Sequence, residues 1–373
     1  MAIRFLTAGE SHGKCLSAII EGIPYGYELD FDFINSELSS RQKGHGRGGR
    51  MKIETDTIEI TSGVRHSITT ASPIAFTIKN RDYKNWLYAM NVEKIDFNSL
   101  DENEQKIARK QIEDKHISSF RPAHADLAAY LKYGFDDIRN SLERSSARET
   151  ATRVAIGAIC QNILKNYNIK FETEILSIGQ CEDKEKFNSY IDEFKAKGDS
   201  LGGIIKLTIK NVPSGLGSYV HFDKRLDGIL ARDLMSIPAI KSVEIGLGKN
   251  YAKLSGHNTH DEIFYNNGYY HKTNNSGGIE GGMTNGEDII ITLAMKPIPT
   301  MATPLKSIEM KSHKTIEAHF ERSDSCAVEA CAVVVKNMSA ISILNAFLDK
   351  FGSDTKEEID NAYNYYRKKQ NEK

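Results

Sequence analysis

The stretch Arg144-Ser-Ser-Ala-Arg-Glu-Thr-Ala151 sets two hydroxyls, two guanidiniums and a carboxylate directly before an apolar run. Ser146-Ala-Arg-Glu149 has the S-x-x-E spacing of a capping box, in which a hydroxyl and a carboxylate satisfy orphan backbone N–H groups at a helix start. Val154, Ala155, Ala158, Ile159 and Ile163 then recur at helical spacing, which predicts a helix with an apolar face. The N–H groups and dipole of such a start favour an anion, and Arg144 and Arg148 strengthen that preference. The same residues also fit an ordinary cap with solvent-facing arginines.

Helical signals extend around this start from Asp126 to Tyr167. Ile3–Thr7, Met51–Ile60, Pro73–Lys79, Gly203–Lys210 and Ile289–Ala294 read as strands, and Phe31–Leu38, Asp223–Met235 and Cys326–Lys350 as helices. Strands and helices mix without the regular alternation of a doubly wound sheet, and no Pro/Ser-rich linker divides the chain. The expectation is one large α+β domain over residues 1–353, followed by a frayed, charged tail over 354–373. Residues 81–118, rich in charge and poor in apolar anchors, read as a mobile, partly helical excursion of the kind that forms lids.

Composition bounds the function. The chain has 373 residues, 40% hydrophobic and 27% charged, which excludes a disordered or collagen-like protein. Its 49 basic and 50 acidic residues give a net charge of −1, so no global field draws nucleic acid, and an anion site must be local. The most apolar stretch, Cys326–Val335, is interrupted by Glu329 and is shorter than the ~18 residues that span a bilayer. MAIRFLTAGESHGK lacks the pattern of a signal peptide. Five cysteines, an odd count with no CxxC, fit reduced thiols in a cytoplasmic protein.

Several motifs admit competing readings. Gly9-Glu-Ser-His-Gly13 matches the G-x-S-x-G hydrolase elbow, but it lies on the first strand of the chain rather than on an interior one. Gly44-His-Gly-Arg-Gly-Gly49 matches G-x-G-x-x-G, yet a helix precedes it and a strand follows, the reverse of a dinucleotide fingerprint. Arg41, Lys43, Arg47 and Arg50 on this glycine scaffold suit phosphate; a flexible surface loop and an RNA-binding patch remain alternatives. His257 and His260, three apart on a loop, read as solvent-facing side chains more readily than as a metal site. Phe120-Arg-Pro-Ala-His-Ala-Asp126, Gly277-Gly-Ile-Glu-Gly-Gly282, Lys296-Pro-Ile-Pro-Thr300 and Glu321-Arg-Ser-Asp324 fit a pocket for a phosphorylated, carboxylated substrate beside a second phosphate-bearing ligand. Each also fits plain turn or helix-start punctuation.

GESHG, RPAHAD, RSSARETA, GGIEGG, KPIPT and RSD occur in an order and spacing that closely resemble the chorismate synthases, over about Ala2 to Leu348. Three features depart from the family pattern: Ala123 stands where glycine is usual, Pro238 where a polar residue is, and Ser141, Leu142 and Glu143 where glycines precede the RSS segment. The resemblance implies a βαβ sandwich, with central helices between antiparallel sheets, assembled as a homotetramer. It implies 1,4-anti elimination of phosphate from 5-enolpyruvylshikimate 3-phosphate, with reduced FMN as cofactor and NADPH as a possible reductant. His12 then corresponds to the acid for the departing phosphate and His124 to the group that polarises the flavin. Asp324 corresponds to the carboxylate near flavin N5, with Ser11 and Ser146 as relays. The implied substrate-facing arginines are Arg41, Arg47, Arg121, Arg148 and Arg322, of which Arg41 and Arg47 are also the implied NADPH contacts. The implied FMN contacts are Arg144, Ser145, Ser146, Pro238, Ala239, Gly281, Lys296, Pro297, Ile298, Pro299, Thr300 and Arg322. No metal is implied.

Overall fold

The computed structural model describes residues 3–48, 54–321 and 324–372. GESHG turns one strand directly into the next: β1 (Arg4–Gly9) pairs antiparallel with β2 (Cys15–Glu21), Gly9 opposite Leu16. With β3 (Glu59–Ser62) and β4 (Ile74–Lys79) they form an antiparallel sheet in the order β1-β2-β4-β3. The second sheet comprises β5 (Lys170–Ile178), β6 (Gly203–Lys210), β7 (Ile240–Ile245) and β8 (Ile289–Met295), in the order β5-β6-β8-β7. Alternation with period two puts Ile205, Leu207 and Ile209 of β6 and Ile289, Ile291 and Leu293 of β8 on one buried face.

The helices are α1 (Phe31–Gln42), α2 (Glu102–Lys115), α3 (Asp126–Tyr133), α4 (Arg139–Ser145), α5 (Thr150–Lys165), α6 (Phe187–Ala196), α7 (Leu226–Met235), α8 (Val328–Phe351) and α9 (Lys356–Asn371). α5 and α8 pack along each other between the sheets, α5 touching β2 and α8 touching β5 and β6. Every residue of α5 from Thr150 to Leu164 except Arg153 is buried, as expected of a helix with no solvated face. The fold is the expected α+β sandwich with central helices.

Several expectations are corrected. α8 runs 24 residues and is long and apolar enough to cross a membrane, yet it is mostly buried as the core helix of this sandwich. The apolar run looked short because Lys336 and Asn337 interrupt it; both bond to Glu37 of α1. The tail is helical rather than frayed: in α9, Ile359 is fully buried, and Tyr363 and Tyr366 pack on Phe351. Its Asp360 accepts a hydrogen bond from Tyr167 at 2.9 Å. The 81–118 excursion is partly helical, as expected: α2 carries a full capping box at Asp101 and Glu104, and Trp86 is buried. In the expected strand Met51–Ile60, only Glu59 and Ile60 are strand, residues 51–53 lying outside the described ones, yet burial still alternates from Glu54 onward.

Gly157 sets the distance between the two central helices. A Cβ there would lie 2.2 Å from the Asn337 backbone oxygen, so only glycine permits this crossing, despite its cost of about 1 kcal/mol in a helix. Gly157→Ala should therefore destabilise the protein by at least the ~1–3 kcal/mol of an overpacked core, although alanine is the better helix former. A calorimetric melting temperature equal to the parent's would show that α5 and α8 can separate without loss.

Candidate active site

The helix start at Arg144–Ala151 lies beside the β1–β2 turn and the end of α1. The capping box is only half formed. Ser146 Oγ accepts from Arg148 N at 3.3 Å, but Glu149 turns away to pair with Arg153 at 2.7 Å. Ser146 Oγ instead donates to Ser11 Oγ of the turn at 3.1 Å, which brings the two hydroxyls together.

Two expected substrate arginines converge on a carboxylate that the motifs did not single out. Asp56 takes Arg148 Nη1 at 2.6 and 2.7 Å and Arg41 Nη2 at 2.8 Å, all three side chains being buried. Arg148 Nε donates to Asn80 at 2.9 Å, and Glu54 lies 4.0 Å from Arg148 Nη2. Burial would raise the Asp56 carboxyl, but the two guanidiniums hold it below the usual range. Burial, with the Arg148 and Arg47 charges, holds Arg41 below the ordinary arginine value against the pull of Asp56. Among the described residues, Arg41 Nε and Arg148 Nη2 are buried without a hydrogen-bond acceptor, leaving two cationic donors unused.

The basic loop is docked rather than an open surface loop. Arg47 Nη1 pairs with Asp324 at 2.8 Å, and Gly48 N donates to the same carboxylate at 2.5 Å. Ser325 N donates to Gly46 O at 2.8 Å, and His45 N donates to Glu329 at 3.1 Å. Asp324 is not a helix cap, because α8 begins four residues later at Val328. Gly49–Ile53 lie outside the described residues, and so does Arg322, so its expected substrate and flavin contacts are not described.

His12 is buried in the turn. Its Nδ1 lies 2.8 Å from Glu143 Oε1, its backbone N donates to Glu143 Oε2 at 2.7 Å, and its ring stacks on Trp86 at 3.9 Å. Arg139 bridges Glu143 at 3.1 Å and Glu321 at 2.8 Å. Burial would raise Glu321, but His319 and Arg139, with the more distant His12, lower it to about 2.

The RPAHAD segment forms a second cluster. Arg121 grips Asp126 through Nε at 2.8 Å and Nη2 at 2.9 Å, and His124 Nδ1 lies 2.8 Å from the same carboxylate. These residues edge a cavity of about 490 Å³ lined by Phe120, Leu127, Leu131 and Ile308. Lys296 Nζ donates to Ala123 O, and Lys296 N donates to Ala239 O at 2.9 Å, tying the KPIPT segment and the Pro238-Ala239 pair to this cluster. Burial and the nearby Lys241 hold Lys296 below the usual lysine value. Ile298 O accepts from Ser200, Thr300 is buried, Pro297 is exposed and Pro299 half-buried.

Other expected contacts fall elsewhere. Exposed Arg144 donates to Thr7 O and Oγ1 of β1, and Ser145 Oγ donates back to Ser141 O at 2.6 Å. Gly281 sits with Gly282, whose carbonyl receives Leu226 N at the start of α7. Pro238-Ala239 lies past the end of that helix, whose ten residues span roughly 15 Å. Gly281 is therefore not brought together with Pro238 within one chain. No group of three or more His, Cys, Asp or Glu among the described residues is placed to hold a metal, His257 and His260 included.

The family model described as chorismate synthase matches residues 3–348. The chain belongs to the chorismate synthase family. A chorismate synthase of Caldanaerobacter subterraneus subsp. tengcongensis is 48% identical over 366 residues, covering 98% of both chains. One from Alkaliphilus metalliredigens is 46% identical over 390 residues, covering 97% of this chain and 99% of the other. A crystal structure of chorismate synthase superposes with a TM-score of 0.77 at 38% identity, covering 100% of this chain and 99% of that one.

Membership in the chorismate synthases gives the departures a physical reading. Ala123 adopts φ 62° and Ala239 φ 73°, left-handed conformations that cost a residue with a Cβ about 1–2 kcal/mol. The usual glycine at position 123 would carry no such strain. Both alanines accept from Lys296, Ala123 from its Nζ and Ala239 from its backbone N. Motif reading missed Asp56, Glu54, Asn80, Trp86 and Arg139 in this cluster. Only the buried alternation through Glu54 and Asp56 left a mark in the sequence, two carboxylates at inward positions of a strand-like run.

The Asp324 pairing is testable. Asp324→Asn keeps the shape but removes a charge-assisted bond worth about 1.5–3 kcal/mol, so opening of the basic loop should rise roughly tenfold or more. Tryptic cleavage at Lys43 and Arg47 should accelerate by that factor, with α8 and the melting temperature little changed. Cleavage at the parent rate would mean that other contacts hold the loop.

Proposed function

We propose that this chain is a carbon–oxygen lyase that converts 5-enolpyruvylshikimate 3-phosphate to chorismate by 1,4-anti elimination of phosphate, the last common step of the shikimate pathway. The observation that carries the reading is the buried junction of Arg41, Arg148, Ser11, Ser146 and His12, in a chain matched to the family along nearly its whole length.

The residues fit an anionic, flat cofactor beside this junction. Burial and Lys241 are what act on Lys296, leaving an uncompensated cationic spot, and a Cβ at Gly281 would meet nothing within 4 Å. Reduced FMN, when bound, supplies transient electron donation that weakens the allylic C–O bond. Arg144, Ser145, Ser146, Pro238, Ala239, the Lys296–Thr300 segment and Arg322 would hold it, with Gly281 reaching it from a neighbouring subunit of a homotetramer. An exposed apolar hairpin with Ile263, Tyr265 and Tyr269 at its surface supports such assembly.

Arg41 and Arg148 bind the substrate's anionic groups through the donors that Asp56 leaves unused. His12 gives a proton to the departing phosphate, which neutralises charge as the C–O bond breaks. His124, held by Asp126, polarises the cofactor's edge, and Asp324 accepts the proton lost from carbon. Arg121 and Arg47 complete the cationic lining. The burial of Arg41 favours substrate over NADPH as its ligand; NADPH, where it serves as reductant, meets the loop at Arg47. The cytoplasm, which holds all these components, is the proposed location, with no nucleic-acid or membrane partner. A serine hydrolase is disfavoured because GESHG joins two antiparallel strands, and an RNA patch because the loop's Arg41 is buried and its Arg47 docked.

Anaerobic assay with dithionite-reduced FMN should yield many chorismates per flavin, and oxidised FMN should yield none. His12→Ala should lower the rate by about 10²–10⁴. One reductant consumed per product, or no product from the parent enzyme, would overturn the reading.

A further inference from the structure

Glu143 is among the most buried acids in the site, 2% exposed. Its carboxylate clasps His12 twice, Oε1 at Nδ1 and Oε2 at the backbone N–H, while its own carbonyl receives Ser11 N at 3.0 Å. Trp86 then stacks on the imidazole face at 3.9 Å, and Lys115 Nζ and Arg139 lie 4.0 and 4.9 Å from the indole centroid. An in-plane bond and a face contact together fix both torsions of a histidine ring. Glycine at position 143 could supply neither carboxylate bond, so the clasp is a property of this side chain.

We infer that Glu143 is a positioning residue that acts through His12, holding Nδ1 as the hydrogen-bonded side of the ring and thereby assigning proton donation to Nε2. The inference rests on the proposed elimination. In the step it serves, the His12 Nε2–H bond breaks and an O–H bond forms on the departing phosphate. The N–H electron pair stays on the ring, which becomes neutral, and a solvent proton restores it after product leaves. Glu143 remains a carboxylate throughout: burial would raise it, but the hydrogen bond and charge of His12 hold it below the ordinary glutamate value. The arrangement has the logic of a carboxylate that orients a catalytic imidazole and stabilises its cation. Among the described residues, the charged and titratable groups around His12 are Glu143 and Arg139 from α4, Lys115 from α2, Glu321 and His319 from the segment before α8, and Glu10 from the turn itself.

The test is a double-mutant cycle on the full-length enzyme with reduced FMN, comparing parent, Glu143→Gln, His12→Ala and the double variant. Glu143→Gln should lower kcat by about tenfold to a hundredfold with little change in KM. Glu143→Asp should recover part of the rate. In the His12→Ala background, Glu143→Gln should have almost no further effect on kcat. Additive losses in the double variant, a Glu143→Asp rate no better than that of Glu143→Gln, or a Glu143→Gln protein that loses its fold along with its rate would each overturn the inference and leave Glu143 a structural acid. A parent enzyme without turnover would fail the functional reading itself, and is distinguished at the first measurement.

Discussion

Two buried guanidiniums share one buried carboxylate, and the functional half of the molecule is arranged around that fact. Arg41 from the end of α1 and Arg148 from the start of α5 repel each other, and only Asp56 between them makes their burial tolerable. Removing one partner from a buried ion pair costs about 3–5 kcal/mol, several times a surface pair. The triad therefore ties α1, α5 and the extended segment before β3 into one unit. It also leaves two donors, Arg41 Nε and Arg148 Nη2, without an acceptor among the described residues.

The central helices explain how residues far apart in sequence reach this point. α5 presents its N-terminus beside the β1–β2 turn, so Ser146 meets Ser11 across 135 residues and Glu143 meets His12 across 131. α8, close against α5 at Gly157, carries at its start the segment whose Asp324 holds the basic loop. The crossing that stabilises the core thus also sets the spacing of His12, the arginines and the loop.

The fold was legible where local pattern and burial agree. α5 announced itself by apolar spacing, and β6 and β8 by β-branched runs that alternate in and out. α9 was misread because its charges outnumber its anchors, although Ile359, Tyr363 and Tyr366 do recur at helical spacing. The site was legible as residue types: arginines, histidines and hydroxyls in short motifs. Its partners were not, because Asp56, Glu143 and Trp86 gain meaning only through pairings across tens to more than a hundred positions. Asp324 shows the same limit. In sequence it sits where a helix cap belongs; in space it anchors Arg47.

The most direct measurement is the melting temperature of Asp56→Asn with and without an anion. If Asp56 is what makes the paired arginines tolerable, the variant should melt at least about 5 °C below the parent, on the scale of a broken buried pair. Inorganic phosphate or the phosphorylated substrate should then raise its melting temperature more than the parent's, because the anion replaces the missing charge. A variant that melts with the parent and gains no more from phosphate than the parent does would contradict the central role of this carboxylate.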